Sequence, residues 1–106
     1  MIRRNRSYLE EFAIRIREHN LFKATRERLL IVRHIHEQYR QRESFTGVDV
    51  AESIKVATPR RVSLSTVYRT LKCLVEVELL DRLEQEPSAQ SDPPLILYCL
   101  PVAWRD

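Results

Sequence analysis

Four stretches carry apolar residues at helical spacing, the fourth strongly two-faced and entered through a short basic turn, and two strand-forming runs follow them. This order predicts a mainly α (α+β) fold: a winged helix-turn-helix of about four helices closed by a two-stranded antiparallel hairpin, the wing. The chain has 106 residues, 43% apolar and 31% charged, enough for one modest core and too few for two. Residues 1–106 therefore read as one domain, with a basic arm at 1–6, a flexible wing tip at 86–94 and a tail at 101–106.

The first helix is expected over 7–19, where Leu9, Phe12, Ala13 and Ile16 share a face, and Asn20 is its stop. Thr25 can cap a second helix that carries Leu29, Val32, Ile35 and Tyr39 and runs to about residue 40. After a loop over 41–45, Thr46 and Asp49 have the spacing of a capping box, so a third helix opens there with Val50, Ile54 and Ala57. It stops before Pro59, because the residue preceding a proline is pushed out of the helical region. Pro59, Arg60, Arg61 and Val62 form a basic connector, and Ser63 is the N-cap of the fourth helix.

That helix has the clearest period in the chain, through Leu64, Val67, Leu71, Leu74 and Val75. At 100° per residue the opposite face is Ser65, Arg69, Lys72 and Glu76, flanked by Thr66 and Cys73 on one side and Tyr68 on the other. Residues 79–85 and 95–100 are rich in strand formers and flank a Pro- and Ser-containing segment that no regular ladder holds.

Composition excludes several functions. Gly47 is the only glycine, so no phosphate-cradling loop that needs closely spaced glycines can be built. Cys73 and Cys99 form neither a C-x-x-C pair nor a disulfide framework, which predicts a reducing, cytoplasmic setting and small buried apolar roles. No signal peptide is expected, and the longest apolar run is too short to span a bilayer. No nucleophile, base and orienting group fall at usable spacing, so an enzyme is not expected. His34 and His36, two apart on a helix, point away from each other and do not chelate one ion together.

Charge is uneven within a net of +3: residues 1–42 hold eleven basic and five acidic side chains, residues 43–106 seven and ten. An asymmetric basic surface on a small domain suits a polyanion, nucleic acid before a membrane face.

The run Val62, Ser63, Leu64, Ser65, Thr66, Val67, Tyr68, Arg69, Thr70, Leu71 closely resembles the recognition helix of the ferric uptake regulator (Fur) family of metal-responsive repressors. Residues 21–28, from Leu21 to Arg28, are similar to the segment that opens that family's second helix, with Glu27 where a proline is usual. The resemblance covers residues 21–100 and implies a DNA-binding transcription regulator whose fourth helix enters the major groove of double-stranded DNA. By this resemblance Tyr68 meets thymine methyls, Arg69 a phosphate or guanine edge, Lys23 the minor groove and Arg28 the backbone. Ser65 and Thr66 in the first turn are suited to phosphate or base, with Ser63 and Lys72 beside them and Arg60 and Arg61 for phosphate neutralisation.

The resemblance also implies departures. The family's second domain, which dimerises and carries metal ligands, has no counterpart before Asp106. Ser44 stands where the family places a metal-binding histidine and Cys99 where it places a glutamate, so we expect no cofactor in place of the family's Fe2+ or Zn2+. Glu78 replaces a common glycine after the recognition helix, at a cost of about 1 kcal/mol if the backbone is left-handed there. The expected partner is an inverted DNA repeat bound by a homodimer, joined through Tyr8, Phe12 and Ile14 or through residues 95–98 and Trp104. The alternative is an interaction module that pairs with another regulator in a heteromeric complex and modulates it.

Overall fold

The structure, a computed structural model, describes residues 7–19, 25–58, 62–83 and 96–105. The elements run α1 (Tyr8–His19), α2 (Arg26–Tyr39), α3 (Gly47–Ala57), α4 (Leu64–Glu76), β1 (Asp81–Leu83), β2 (Leu97–Cys99) and a 3-10 turn (Val102–Trp104). This is the expected winged helix-turn-helix. The arm at 1–6 and the wing tip at 86–94 lie outside the described residues.

Each helix starts where its capping chemistry sits. Thr25 Oγ1 accepts from the Arg28 N–H at 3.2 Å, and Ser63 Oγ accepts from the Thr66 N–H at 3.1 Å. The box at α3 closes both ways: Thr46 Oγ1 accepts from the Asp49 N–H at 3.1 Å, and the Thr46 N–H donates to Asp49 Oδ2 at 2.9 Å. At the far end of α3, Thr58 turns to extended backbone while its N–H still donates to the Ile54 carbonyl.

One core joins all the helices. Tyr8, Phe12 and Ile16 of α1 meet Ile31, Val32, Ile35 and Tyr39 of α2, Val50 and Ile54 of α3, and Val67, Leu71 and Leu74 of α4. The inward face of α4 is rotated from the expected one. Leu64 is 46% exposed, whereas Thr70 and Cys73 are buried. Cys73, placed on the flank of the outer face by its helical angle, belongs to the core, because α2 and α3 cover α4 over a wider arc than its Leu and Val positions mark. The Thr70 hydroxyl meets the cost of its burial by donating to the Thr66 carbonyl at 2.8 Å. Ala57, expected on the inward side of α3, is exposed in its last turn.

Among the described residues the wing pairs three residues of each strand-forming run. β1 and β2 pair antiparallel with Asp81 opposite Cys99, Arg82 opposite Tyr98 and Leu83 opposite Leu97. Leu79 and Leu80 fall outside the strand, since both are buried in the turn that leaves α4. On its other side β2 bridges the segment before α3, with Phe45 and Tyr98 exchanging backbone bonds of 2.9 and 2.8 Å. The wing is thereby tied to the first turn of α3.

Three of the residues proposed as dimer contacts are consumed within the chain. Tyr8 and Phe12 are buried in its own core, and Trp104 packs edge-on against Tyr8 (5.3 Å between ring centroids) and His36 (6.4 Å). The tail at 101–105 is thus folded against α1 and α2. Among the described residues no helix is long and apolar enough to cross a membrane.

Candidate nucleic-acid interface

The outer face of α4 is free of the core over its first two turns. Ser63, Ser65, Tyr68, Arg69 and Lys72 are exposed there and Thr66 is half-buried, so six of the sequence-derived site residues share one helix and its cap. The Ser63 and Thr66 hydroxyls lie 2.8 Å apart, and Ser63 also accepts the cap bond. Each hydroxyl has one proton, so the pair uses one between its members and keeps one for an outside acceptor. Arg28 is half-buried at the start of α2, close enough to the Cys73 thiol to lower its pKa against the stronger upward push of burial. Lys23, Arg60 and Arg61 lie outside the described residues.

Tyr68 is 40% exposed and lies across the first turn of α3, where Gly47 is buried beneath its ring. Its electrostatic influence reaches the Tyr98 hydroxyl, whose pKa is raised first by burial, lowered by Arg82 and raised by Tyr68. Arg82 lies opposite Tyr98 in the hairpin register, and its exposed side chain adds a cation to the wing. Sequence reasoning missed Gly47 and Arg82. Arg82 carries no local signal, since only strand pairing sets it opposite Tyr98. Gly47 has one, a glycine at the first position of a helix with no turn to make.

The far end of α4 is held from α1. Glu78 has φ 62°, in the left-handed region, and the chain turns there as glycine would. The Leu79 N–H donates to the Leu74 carbonyl at 2.9 Å and the Glu78 N–H to the Val75 carbonyl at 3.1 Å, the paired bonds of a Schellman stop. Two α1 side chains bind the carbonyls of the same turn: Arg15 Nη1 donates to Val77 at 2.8 Å and the Tyr8 hydroxyl donates to Leu79. Burial raises the Tyr8 pKa, so this hydroxyl keeps its proton to donate. The helix axis is thus set at one end by a side-chain cap and at the other by α1.

The resemblance places metal ligands at residues 44 and 99. The antiparallel bridge of Phe45 and Tyr98 sets residue 44 opposite residue 99 in register, so the fold brings the two ligand positions together. They hold a neutral serine hydroxyl and a buried cysteine. Among the described residues no three His, Cys, Asp or Glu side chains gather into a candidate site. The structure does pair His34 Nε2 with Ser53 Oγ at 2.6 Å, a link between α2 and α3 absent from the sequence reading.

The fold and the family both have counterparts. Solved structures that match the chain include GAS PerR-Zn-Zn, with a TM-score of 0.65, 19% identity and 93% of this chain covered, and PerR from Streptococcus pyogenes, with a TM-score of 0.66, 20% identity and 94% covered. The second is described for peroxide sensing and gene regulation. The match takes in 58% and 61% of those chains, so this chain spans about three fifths of their length. No curated protein sequence matches it at a significant level. The family model for the ferric uptake regulator family matches residues 19–91, the span from the end of α1 through α4 into the segment after β1. With more than half of its length matched, the chain belongs to the ferric uptake regulator family, whose members are metalloregulator-type transcriptional regulators.

Proposed function

We propose that this protein is a sequence-specific DNA-binding regulator that sets α4 in the major groove of double-stranded DNA. The observation that carries the reading is the exposed outer face of α4, on which Ser65, Tyr68, Arg69 and Lys72 stand clear of a helix fixed at both ends. An α-helix fits the major groove, and a cation, a phenol and hydroxyls are the groups that read base edges and hold phosphates. Lys23, Arg28, Arg60 and Arg61 supply backbone neutralisation around it, and Arg82 of the wing joins them. The protein acts in the cytoplasm on an inverted repeat as a dimer, its second subunit a copy of itself, and binds without the metal used elsewhere in the family.

Selection of bound duplexes from a random DNA library, at moderate salt and without added metal, tests this reading. The expected result is enrichment of an inverted repeat with a fixed half-site spacing. Retention of random duplexes with no enriched sequence would overturn it, and would leave a module that acts by pairing with another regulator.

A further inference from the structure

We infer that Gly47, the only glycine in the chain, is a positioning residue for Tyr68, leaving the space in which the Tyr68 ring lies against α3 and so setting where that ring meets the DNA. This rests on the DNA-binding reading above.

Gly47 occupies the first position of α3 with no positive φ, so its backbone conformation is open to any residue. A glycine there forgoes helix propensity relative to alanine and receives no torsional freedom it uses. Space accounts for it. A Cβ on residue 47 would stand 2.5 Å from Tyr68 Cε1, 2.9 Å from Cζ and 3.1 Å from Cδ1. Carbon atoms rest about 3.5 Å apart or more, so a methyl group would drive the ring roughly 1 Å outward.

The floor beneath the ring does not yield in its place. Thr46 and Asp49 lock the first turn of α3 through the capping box, and Phe45 one residue earlier is paired to Tyr98 of β2. Phe45 in turn stacks on Tyr39 at 4.7 Å, and the Tyr39 hydroxyl donates to the Asp49 carbonyl at 3.1 Å. The ring itself is the movable partner: it is part-exposed at the end of two rotatable bonds on the outer side of α4. A displaced ring changes which base-pair step it reaches while the fold stays as it is.

The test combines a readout on the free protein with one on DNA. In the NMR spectrum of the unliganded parent, cross-relaxation between the Gly47 Hα protons and the Tyr68 ring protons is expected. Its absence would overturn the placement and leave the DNA reading untouched. Gly47→Ala is expected to lower affinity for the selected duplex on the order of tenfold and to change the preference at A·T positions, with affinity for random duplex held. In a Tyr68→Ala background the same substitution should change neither, and should raise the melting temperature through helix propensity alone. A Gly47→Ala protein that binds and discriminates like the parent while Tyr68→Ala does not would sink the positioning role and keep Tyr68 as a DNA contact. If neither variant altered binding, both readings would fall together. Should Gly47→Ala unfold, the double variant decides: recovery of the fold marks the ring as the obstacle, and no recovery overturns the proposal.

Discussion

Glu78 holds the left-handed position of a helix stop that glycine fills at lower cost, and its side chain is exposed. Since Leu79 and Leu74 are both buried behind the turn, the chain keeps the geometry and bears the strain. Glu78→Gly is expected to stabilise the protein by about 1 kcal/mol, read as a shift in denaturant midpoint with the slope unchanged. Two histidines act in the opposite sense. The His34 pKa is lowered by burial against a smaller upward pull from Glu37. That of His36 is lowered by burial and by Arg40, against a backbone hydrogen bond at Trp104 and Glu37. His36 Nε2 is buried without a hydrogen-bond partner while the ring stacks on Tyr8 at 4.8 Å. Both imidazoles take up protons more readily when unfolded. Stability should therefore be level above about pH 6.5, the ordinary imidazole value, and fall as the pH drops from there through the lower folded values. Thermal melts from pH 8 to pH 5 check this, and His36→Phe should flatten the fall. An unchanged profile in that variant would remove His36 as a cause.

At the scale of elements, α4 is defined by what holds its ends. Ser63→Ala removes the cap that accepts the Thr66 N–H and should cost about 1 kcal/mol of stability. Arg15→Ala opens the other end by taking away the donor to the Val77 carbonyl, and Arg15 also pairs with Glu11 at 2.9 Å. Hydrogen exchange locates the effect: amides in the last turn of α4 should exchange faster in Arg15→Ala than in the parent, with α3 unchanged. Equal protection in both proteins would show that the Schellman bonds hold the turn without α1. The wing follows the same logic, since among the described residues β1 and β2 pair over three residues and the Phe45 bridge attaches them to the segment before α3. A two-stranded ribbon of that length is not stable in isolation.

For the whole molecule the charge and the helix face make one prediction about binding. Arg69→Ala should weaken binding to the selected duplex by about 1 to 3 kcal/mol, and Lys23→Ala should reduce the slope of log affinity against log salt by about one. Filter or anisotropy titrations across a salt series separate the two, and equal curves for both variants and the parent would place the DNA surface elsewhere. The order of helices and their caps, and most of the core stripe of α1, α2 and α3, were legible in the sequence because capping and amphipathic period are local: Thr25, Thr46 with Asp49, and Ser63 act within three residues of themselves. The outer face of α4 was legible for the same reason, as Arg69 and Lys72 follow from helical phase alone. The burial of Thr70 was unforeseen because it depends on how far α2 and α3 wrap around α4, which no single helix encodes, whereas Cys73 is buried as its residue type led us to expect. Trp104 against Tyr8, Arg82 beside Tyr98, the Phe45 bridge to the wing and the seat of Tyr68 on Gly47 join residues far apart in the chain. By itself the sequence determined which elements form and which helix face remains polar, through local hydrogen bonding and hydrophobic period. Only the tertiary structure decided how those elements are clamped to one another, because packing and strand register are properties of facing surfaces that have no period along the chain.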